Sequence, residues 1–340
     1  MSSATGNLAD STLADADWLA HRYDPGQDAV HFIAAARALR QDVPFLTDEY
    51  LPGHSDPRII GRGELGLAPR PVNYIFHSAY CCSTLLAACF DLPGRSLSLK
   101  EPQLLNDMVG WRHRGAPQQA LAGVLDHSLA LLARPYEPDE VAVIKPSNIV
   151  NGLAHAMLSL RPDSRAILLH APLRVFLTSI ARKGLWGRLW VRELFVAQRA
   201  DGLVSGLGFE DHEWIRQSDL QIAAIGWLAQ QRLFHQLLAR WPDRLRSLNS
   251  EDLIAQSERA LQVAAELFGL HLDGAALAGT IERNFGRDSK TGESFTAGRR
   301  EADRKAGEAV HADEVDKVCV WIEAVAEAVG IDLELPHSLI

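Results

Sequence analysis

The sequence predicts an α/β protein, a three-layer sandwich in which a central parallel sheet of about five strands is flanked by helices, with an added helical insertion. The main observation is that short apolar segments alternate with longer segments of helical periodicity. Strands separated by helices join through right-handed crossovers, which places them in a parallel sheet covered on both faces. The composition agrees, since 47% hydrophobic and 23% charged residues in a chain of 340 are typical of a globular protein with a sizeable core.

Five short apolar segments are predicted as the strands of this sheet, because each is bounded by polar or turn residues. They are 72–76, 96–100, 141–145, 166–170 and 245–249. Apolar residues at helical spacing predict helices over four further segments, 117–134, 149–160, 173–198 and 251–269. A helical insertion is expected around residues 185–241, of which 211–241 is rich in Trp, Leu and Gln.

The rest of the chain is predicted from its composition and its turn residues. The first residues are small and polar, a Pro- and Gly-rich segment follows the first apolar run, and a late segment is rich in Gly, Ser and basic residues. The predicted organisation is a disordered tail over 1–15, a helical and loop extension over 16–70 and a main domain over 71–340. Within the extension we expect a helix at 28–40, followed by irregular chain at 52–71. Within the main domain we expect a mobile basic loop around 284–307 and a C-terminal helix at about 311–329.

The charge balance and the cysteine pattern exclude several function classes. With 34 Lys and Arg against 43 Asp and Glu, the net charge of -9 disfavours binding to nucleic acids or to anionic membranes. The sequence has no signal-peptide pattern and no long apolar run, which predicts a cytoplasmic protein. We expect no metal, because the 13 histidines form no metal-binding motif and the four cysteines lack zinc-ligand spacing. The cysteines are Cys81, Cys82, Cys89 and Cys319.

Polar residues follow four of the predicted strands at the point where each strand ends. They are the segment 77–84, Lys100 with Glu101, Lys145, and His170. Parallel strands present their carboxyl ends at one edge of a sheet, where ligands bind near the reversal of the strand order. A polar strand end by itself is common in any protein, but four that converge on one edge favour a binding site there.

The segment 77–84 is a turn of small residues between an apolar strand and a helix that begins with Ser83 and Thr84. Exposed N–H groups at a helix start, together with two hydroxyls, form a cradle for phosphate or sulfate. A Walker A loop requires Gly-Lys before Ser or Thr, whereas Cys82 precedes Ser83, so an ATP or GTP hydrolase is disfavoured. The alternative role of the two hydroxyls is to cap the helix.

In order and spacing, residues from about 70 to 325 resemble the sulfotransferase family of the P-loop superfamily. The segment 80–86 occupies the place of the family's phosphosulfate loop, and 248–253 resembles its late strand-to-helix junction. The resemblance implies a P-loop-type domain that uses 3′-phosphoadenosine 5′-phosphosulfate (PAPS) as its nucleotide co-substrate. It also implies that the loop holds the 5′-phosphosulfate and that the fourth strand and its helix hold the 3′-phosphate. The implied donor-binding residues are Ala79, Tyr80, Cys81, Cys82, Ser83, Thr84, His170, Arg174, Thr178 and Ser179.

Two further segments resemble catalytic segments of this family. The segment 98–102 is similar to the one after the second strand in Golgi-type and tyrosylprotein sulfotransferases, which implies that Glu101 takes the acceptor's proton. The segment 143–146 is similar to their Lys-x-Pro segment, in which the lysine faces the transferred group. The resemblance therefore implies that Lys145, assisted by Lys100, stabilises the leaving oxygen.

At three positions the sequence departs from the family pattern. Tyr80 stands where the family has a basic residue, Cys82 where it has Gly, and His170 where it has the Arg that binds the 3′-phosphate. These departures support an alternative, a non-catalytic nucleotide-binding or scaffold protein of the same fold. A transferase with another donor, such as a kinase, is the third candidate.

The acceptor is expected to carry a hydroxyl or an amine, but its identity has no recognisable code in the sequence. Trp186, Trp190 and Phe195 lie at helical spacing and are interpreted as core residues rather than as an acceptor pocket. The oligomeric state is not indicated by any pattern.

Overall fold

The N-terminal part of the chain forms a helix and a three-stranded antiparallel sheet. The structure is a computed structural model that describes residues 2–51, 56–285 and 297–340. The sheet has the order β1-β2-β3, so its middle strand is hydrogen-bonded on both sides. The elements are α1 (Ser2–Ala14), β1 (Trp18–Asp24), β2 (Ala29–Ala34), α2 (Arg37–Asp42) and β3 (Arg58–Gly61).

The structure differs from two sequence predictions in this part, the disordered tail over 1–15 and the helix over 28–40. Thr12 of α1 is buried and accepts hydrogen bonds from Arg58 and Arg134 at 2.9 Å, which hold α1 against the domain. Strand β2 buries β-branched and aromatic side chains, and pairing with two strands stabilises the extended chain more than local helical spacing does. The described part of the predicted extension over 16–70 therefore contains a three-stranded sheet in addition to the short helix α2.

Five parallel strands form the central sheet and confirm the predicted fold class. Four of them have the predicted bounds, and the first extends one residue further, to His77. They are β4 (Val72–His77), β5 (Ser96–Lys100), β6 (Val141–Lys145), β7 (Ala166–His170) and β8 (Leu245–Asn249).

Helices cover both faces of this sheet. They are α3 (Ser83–Cys89), α4 (Gln103–His113), α5 (Gln118–Leu132), α6 (Ala154–Leu160), α7 (Leu173–Arg182), α8 (Gly184–Ala200), α9 (Asp219–Arg240), α10 (Ser250–Ala255), α11 (Ser257–Leu267), α12 (Gly274–Phe285) and α13 (Ala297–Ala328). The predicted loop around 284–307 differs from the structure at both ends, where α12 and α13 are helical, and its residues 286–296 lie outside the described part. Within the described ranges, every helix is too short or too polar to cross a lipid bilayer.

Side chains of the strands alternate between two apolar layers. On one face Ile75 and Val143 belong to a core shared with α3, α7 and α13. On the other face Phe76 and Ile144 belong to a core shared with α4, α5 and the N-terminal sheet. A strand buried on both sides has a nearly continuous apolar sequence. This pattern is why the sequence predicts the strands of the sheet.

The strand order is β5-β6-β4-β7-β8, so the first strand of the sheet lies at its centre. From β4 the chain passes to β5 and β6 on one side, and it then crosses to β7 and β8 on the other. The order therefore reverses beside β4, and the carboxyl ends of β4, β5 and β6 border the crevice where open α/β sheets bind ligands.

Gly187 of α8 lies where this helix meets the end of α7, and a methyl group has no room there. An added Cβ would come within 2.6 Å of the Ile180 carbonyl oxygen and of the Lys183 Cβ atom. We expect Gly187→Ala to lower the free energy of unfolding by about 1–3 kcal/mol, the usual effect of overpacking.

The matched control is Gly123→Ala in the middle of α5, where an added Cβ meets no atom outside its own helix backbone within 4 Å. This change should raise the free energy of unfolding by up to about 1 kcal/mol, because Ala favours a helix more than Gly does. Urea denaturation measures both values, and equal effects would contradict the close approach of α7 and α8.

Candidate active site

A cavity of about 720 Å³ opens at the carboxyl ends of β4, β5 and β6. In the described part of the chain, its walls come from the segment that follows α2, the end of β4 with the β4–α3 loop, the residue after β5, the end of β6 with the turn after it, and the segment 183–190 at the start of α8. The cavity brings Glu101, Lys145 and the loop residues Ala79 to Thr84 together, as the sequence predicts.

The β4–α3 loop has an unusual backbone conformation. Ala79, Tyr80 and Cys82 have φ angles of 70°, 52° and 62°, a left-handed conformation that costs a non-glycine residue about 1–3 kcal/mol. Helix α3 begins directly after Cys82, and the N–H groups of its first turn have no intrahelical acceptor. Ser83 and Thr84 of this turn line the cavity, so N–H donors and hydroxyls are available to an anion there.

Hydrogen bonds from neighbouring elements hold this loop in place. The Ser78 N–H donates to the Leu169 carbonyl, and the Ala171 N–H donates to the Ser78 hydroxyl, both at 3.0 Å. The buried Asn151 side chain donates to the His77 carbonyl at 3.0 Å. The loop is therefore fixed to the end of β7 and to the 3-10 turn that follows β6.

His77, the last residue of β4, connects the loop to the chain after β6. The Ala79 N–H donates to its Nδ1 atom at 3.1 Å, and its Nε2 atom lies 3.0 Å from the Pro146 carbonyl oxygen. Because an amide N–H only donates and a carbonyl only accepts, these contacts fix a neutral imidazole with its proton on Nε2. This Nε2 atom is 3.9 Å from a carboxylate oxygen of Glu101.

The centre of the site is an ion pair between the buried Lys145 and the partly buried Glu101. Lys145 is only 1% exposed, and its Nζ atom lies 5.0 Å from the centre of the Phe45 ring. The register pairs Lys100 with Lys145, which places Glu101 just beyond the pair. Glu101 has a φ angle of 51°, and its N–H donates to the Lys145 carbonyl at 2.6 Å, so backbone and side chain both bind Lys145.

One wall of the cavity is aromatic, and the sequence interpretation of this wall is only partly correct. Phe195 is buried as expected, but Trp186 and Trp190 line the cavity, and Trp186 is 61% exposed. Tyr80 lies edge-on to Trp190 at 5.4 Å between ring centres, and burial raises the pKa of Tyr80 to about 12. Tyr80, which stands where the resemblance expects a basic residue, is thus a neutral wall residue.

The segment that follows α2 supplies residues that the sequence analysis did not identify. Phe45 and Tyr50 line the cavity beside Glu49, and Leu46 fixes this segment to the end of β5. The Leu46 N–H donates to the Lys100 carbonyl at 2.7 Å. No sequence signal links this segment to the strand ends, because the contact depends on tertiary structure.

Lys100 does not reach the cavity. It lies on the edge strand β5, and its Nζ atom donates to the Gln41 carbonyl at 2.8 Å. It lines a separate cavity of about 170 Å³ with Ser98 and Arg283. Burial lowers the pKa of Lys100 to about 8. Lys145 on the neighbouring inner strand is therefore the lysine that the structure places beside Glu101.

The residues expected at a 3′-phosphate do not form a charged pocket in the described part of the chain. Burial lowers the pKa of His170 to about 4, so its ring is neutral near pH 7. Arg174 forms an ion pair with Asp316, Thr178 is buried, and the Ser179 hydroxyl donates to a backbone carbonyl at 2.7 Å. In the described part of the chain, the N–H and hydroxyl donors lie on the β4–α3 loop, and these four positions add no uncompensated positive charge.

Cys81 of the loop is not placed for nucleophilic chemistry. Cys81 is fully buried, and burial raises the pKa of its thiol to about 11, which disfavours a thiolate at neutral pH. Within the ranges that the structure describes, no group of three or more His, Cys, Asp or Glu side chains could hold a metal ion.

The ion pair allows a test of the site geometry. Lys145→Met would leave the Glu101 carboxylate without its partner, and we expect a loss of about 3 kcal/mol in the free energy of unfolding. The double variant Lys145→Met/Glu101→Gln should lose less than the sum of the two single variants, by about 1–3 kcal/mol. Urea denaturation of the four proteins gives this coupling, and strictly additive losses would show that the pair does not form.

No family model and no curated protein matches the sequence. Among solved structures, the sulfotransferase domain of the Synechococcus PCC 7002 olefin synthase has 18% identity and a TM-score of 0.44, with 79% of this chain and 98% of that domain covered. The sulfotransferase domain from the curacin biosynthetic pathway has 15% identity and a TM-score of 0.44, with 80% and 100% covered. A sulfotransferase from Mycobacterium avium has 12% identity and a TM-score of 0.42, with 74% and 77% covered.

Proposed function

We propose that this protein is a sulfotransferase that moves a sulfuryl group from a phosphosulfate nucleotide to a hydroxyl or amine acceptor. The observation that carries the proposal is that one cavity contains both the start of α3, with its N–H and hydroxyl donors, and the ion pair of Lys145 and Glu101. The order of the sequence motifs supports the same activity. PAPS is the donor that the resemblance implies, and we expect no metal.

The donor side of the cavity is assigned to the β4–α3 loop. The first-turn N–H groups of α3 and the hydroxyls of Ser83 and Thr84 would hold the 5′-phosphate. Sulfuryl transfer needs in-line positioning and charge stabilisation more than covalent help from the protein. Rigid attachment of the loop through Ser78 and Asn151 suits this requirement, because the donors need no rearrangement during the reaction.

The chemical step is assigned to the ion pair. The acceptor oxygen or nitrogen would form a bond to sulfur while the bond from sulfur to the 5′-phosphate oxygen breaks, and that oxygen keeps the electron pair. A carboxylate oxygen of Glu101 would take the acceptor's proton, and the ammonium group of Lys145 would stabilise the charge that develops on the leaving oxygen. His77 would act as a positioning residue, since its tautomer is fixed by two backbone groups.

A non-catalytic nucleotide-binding protein is the second candidate function, and two observations favour it. Tyr80 is packed among aromatic rings where a cation is expected, and His170 is half-buried and neutral where an Arg is expected. Both candidates require nucleotide binding, whereas only the first requires turnover, so binding and transfer are tested separately.

Nucleotide binding is tested with adenosine 3′,5′-bisphosphate, ATP and GTP in a thermal-shift experiment. The bisphosphate at 100 times its dissociation constant should stabilise the protein by about 2.7 kcal/mol, and ATP and GTP should have little effect. No shift with any of the three nucleotides would contradict both candidate functions.

Turnover is tested with Glu101→Gln, which keeps the size of the side chain and removes the proton acceptor. We expect the rate of transfer from radiolabelled PAPS to a panel of alcohols and amines to fall at least about a hundredfold. The matched control is Glu49→Gln, since Glu49 lines the same cavity but lies outside the ion pair, and its rate should stay within about threefold of the unmodified protein. Equal losses in the two variants would remove Glu101 as the base.

A further inference from the structure

The outward face of α8 carries an apolar stripe. It consists of Leu185, Leu189 and Val196, which are 72%, 54% and 67% exposed. At 100° per residue these positions lie within an arc of about 40°, and they extend over about 17 Å of the helix. Large apolar side chains aligned in this way on a solvent-facing helix point to a binding surface, whereas scattered ones do not.

The α8 stripe is continuous with the wall of the cavity. Trp186, which follows Leu185 in the chain, is 61% exposed and lines the cavity, as do Trp190 and Lys183. Lys183 lies with its Nζ atom 5.9 Å from the centre of the Trp186 ring. The apolar surface therefore leads from the reaction centre past Trp186 and along the outside of α8.

The width of the α8 stripe decides what occupies it. A helix of a globular partner buries an apolar face at least about 100° wide, and the narrower seam of a coiled coil needs an apolar residue at every third or fourth position. Arg192 takes the seam position between Leu189 and Val196, so the stripe fits neither kind of helix. Arg192 and Glu193 border this stripe on its two sides, and Arg192 is held there by an ion pair with Asp219. A strip one side chain wide between charged residues fits a single extended hydrocarbon chain.

We propose that the acceptor is an amphiphile, whose hydroxyl or amine lies at Glu101 and whose unbranched apolar chain leaves the cavity at Trp186 and lies on the α8 stripe. This inference rests on the proposed function and names its substrate class. Lys183 at the cavity mouth suits the product, because sulfation gives the head of the amphiphile a negative charge.

The test uses alkyl sulfates, which correspond to the products of alkanol sulfation and bind without turnover. Isothermal titration with butyl, hexyl, octyl and decyl sulfate, each below its micelle concentration, measures affinity as a function of chain length. We expect affinity to rise about two- to fourfold with each methylene that reaches apolar surface. An affinity that does not depend on chain length would overturn the proposal.

Leu189→Gln is the variant that tests the α8 stripe, and Val320→Gln on α13 is its control, because Val320 is 67% exposed on another helix. Leu189→Gln should weaken decyl sulfate binding by about tenfold and leave butyl sulfate binding unchanged, while Val320→Gln should change neither. Equal binding of decyl sulfate to both variants would overturn the proposal. If the protein dimerises and only Leu189→Gln abolishes the dimer, the stripe binds a second copy of the protein, and the proposal is also overturned.

Failure of this inference differs in outcome from failure of the proposed function. If alkyl sulfates bind more tightly as their chains lengthen but no sulfuryl group moves from PAPS to decanol, the apolar site is retained and the proposed sulfotransferase activity is overturned. If sulfuryl groups are transferred to short alcohols and the rate does not increase with chain length, the activity is retained and the amphiphilic acceptor is overturned.

Discussion

The candidate site depends on the cost of burying the ammonium group of Lys145. A lysine that is 1% exposed loses nearly all of its hydration, and only an opposite charge with good geometry offsets that loss. Glu101 supplies this charge because it turns into a left-handed conformation directly after β5. The Phe45 ring also lies against the ammonium group, so the chain before the central sheet is part of the site rather than an appendage.

The β4–α3 loop shows the same dependence of local geometry on distant contacts. Three residues other than glycine hold left-handed conformations within four positions of the loop, and each costs about 1–3 kcal/mol. Such a loop persists only if its surroundings determine its path. Ser78 connects it to β7 and Asn151 connects it to the chain after β6, while the Asn151 side chain also donates to the buried Gln230 on α9 at 2.9 Å. The loop is therefore held by strand β7 of the sheet and by the chain after β6, which α9 supports in turn.

The sequence predicts the central sheet well and the cavity walls poorly, for physical reasons. A strand buried on both faces is a short apolar run with polar ends, so β5 to β8 are predicted to the residue. The N-terminal sheet depends on pairing between distant segments, which local periodicity does not contain. Helical spacing places Trp186 and Trp190 on one face of a helix but does not tell whether that face meets the core or a cavity. Lys100 and Lys145 each stand at the end of a predicted strand. The edge strand β5 places Lys100 outside the cavity, whereas the inner strand β6 places Lys145 inside it.

The charges in the cavity determine at which stage of the proposed reaction Lys145 would stabilise the leaving oxygen most. Lys145 and Lys183 face Glu49 and Glu101 there, so the net charge of these four groups is close to zero and the protein as a whole is acidic. In the proposed reaction, a proton that moves from the acceptor to Glu101 neutralises the carboxylate and leaves the positive charge of Lys145 without compensation. Two unit charges 4 Å apart interact by about 4 kcal/mol near a protein surface, so the field of Lys145 at the leaving oxygen would strengthen as that oxygen becomes negative. A paired lysine would thus favour the transition state over the bound donor, which is the condition for a faster chemical step.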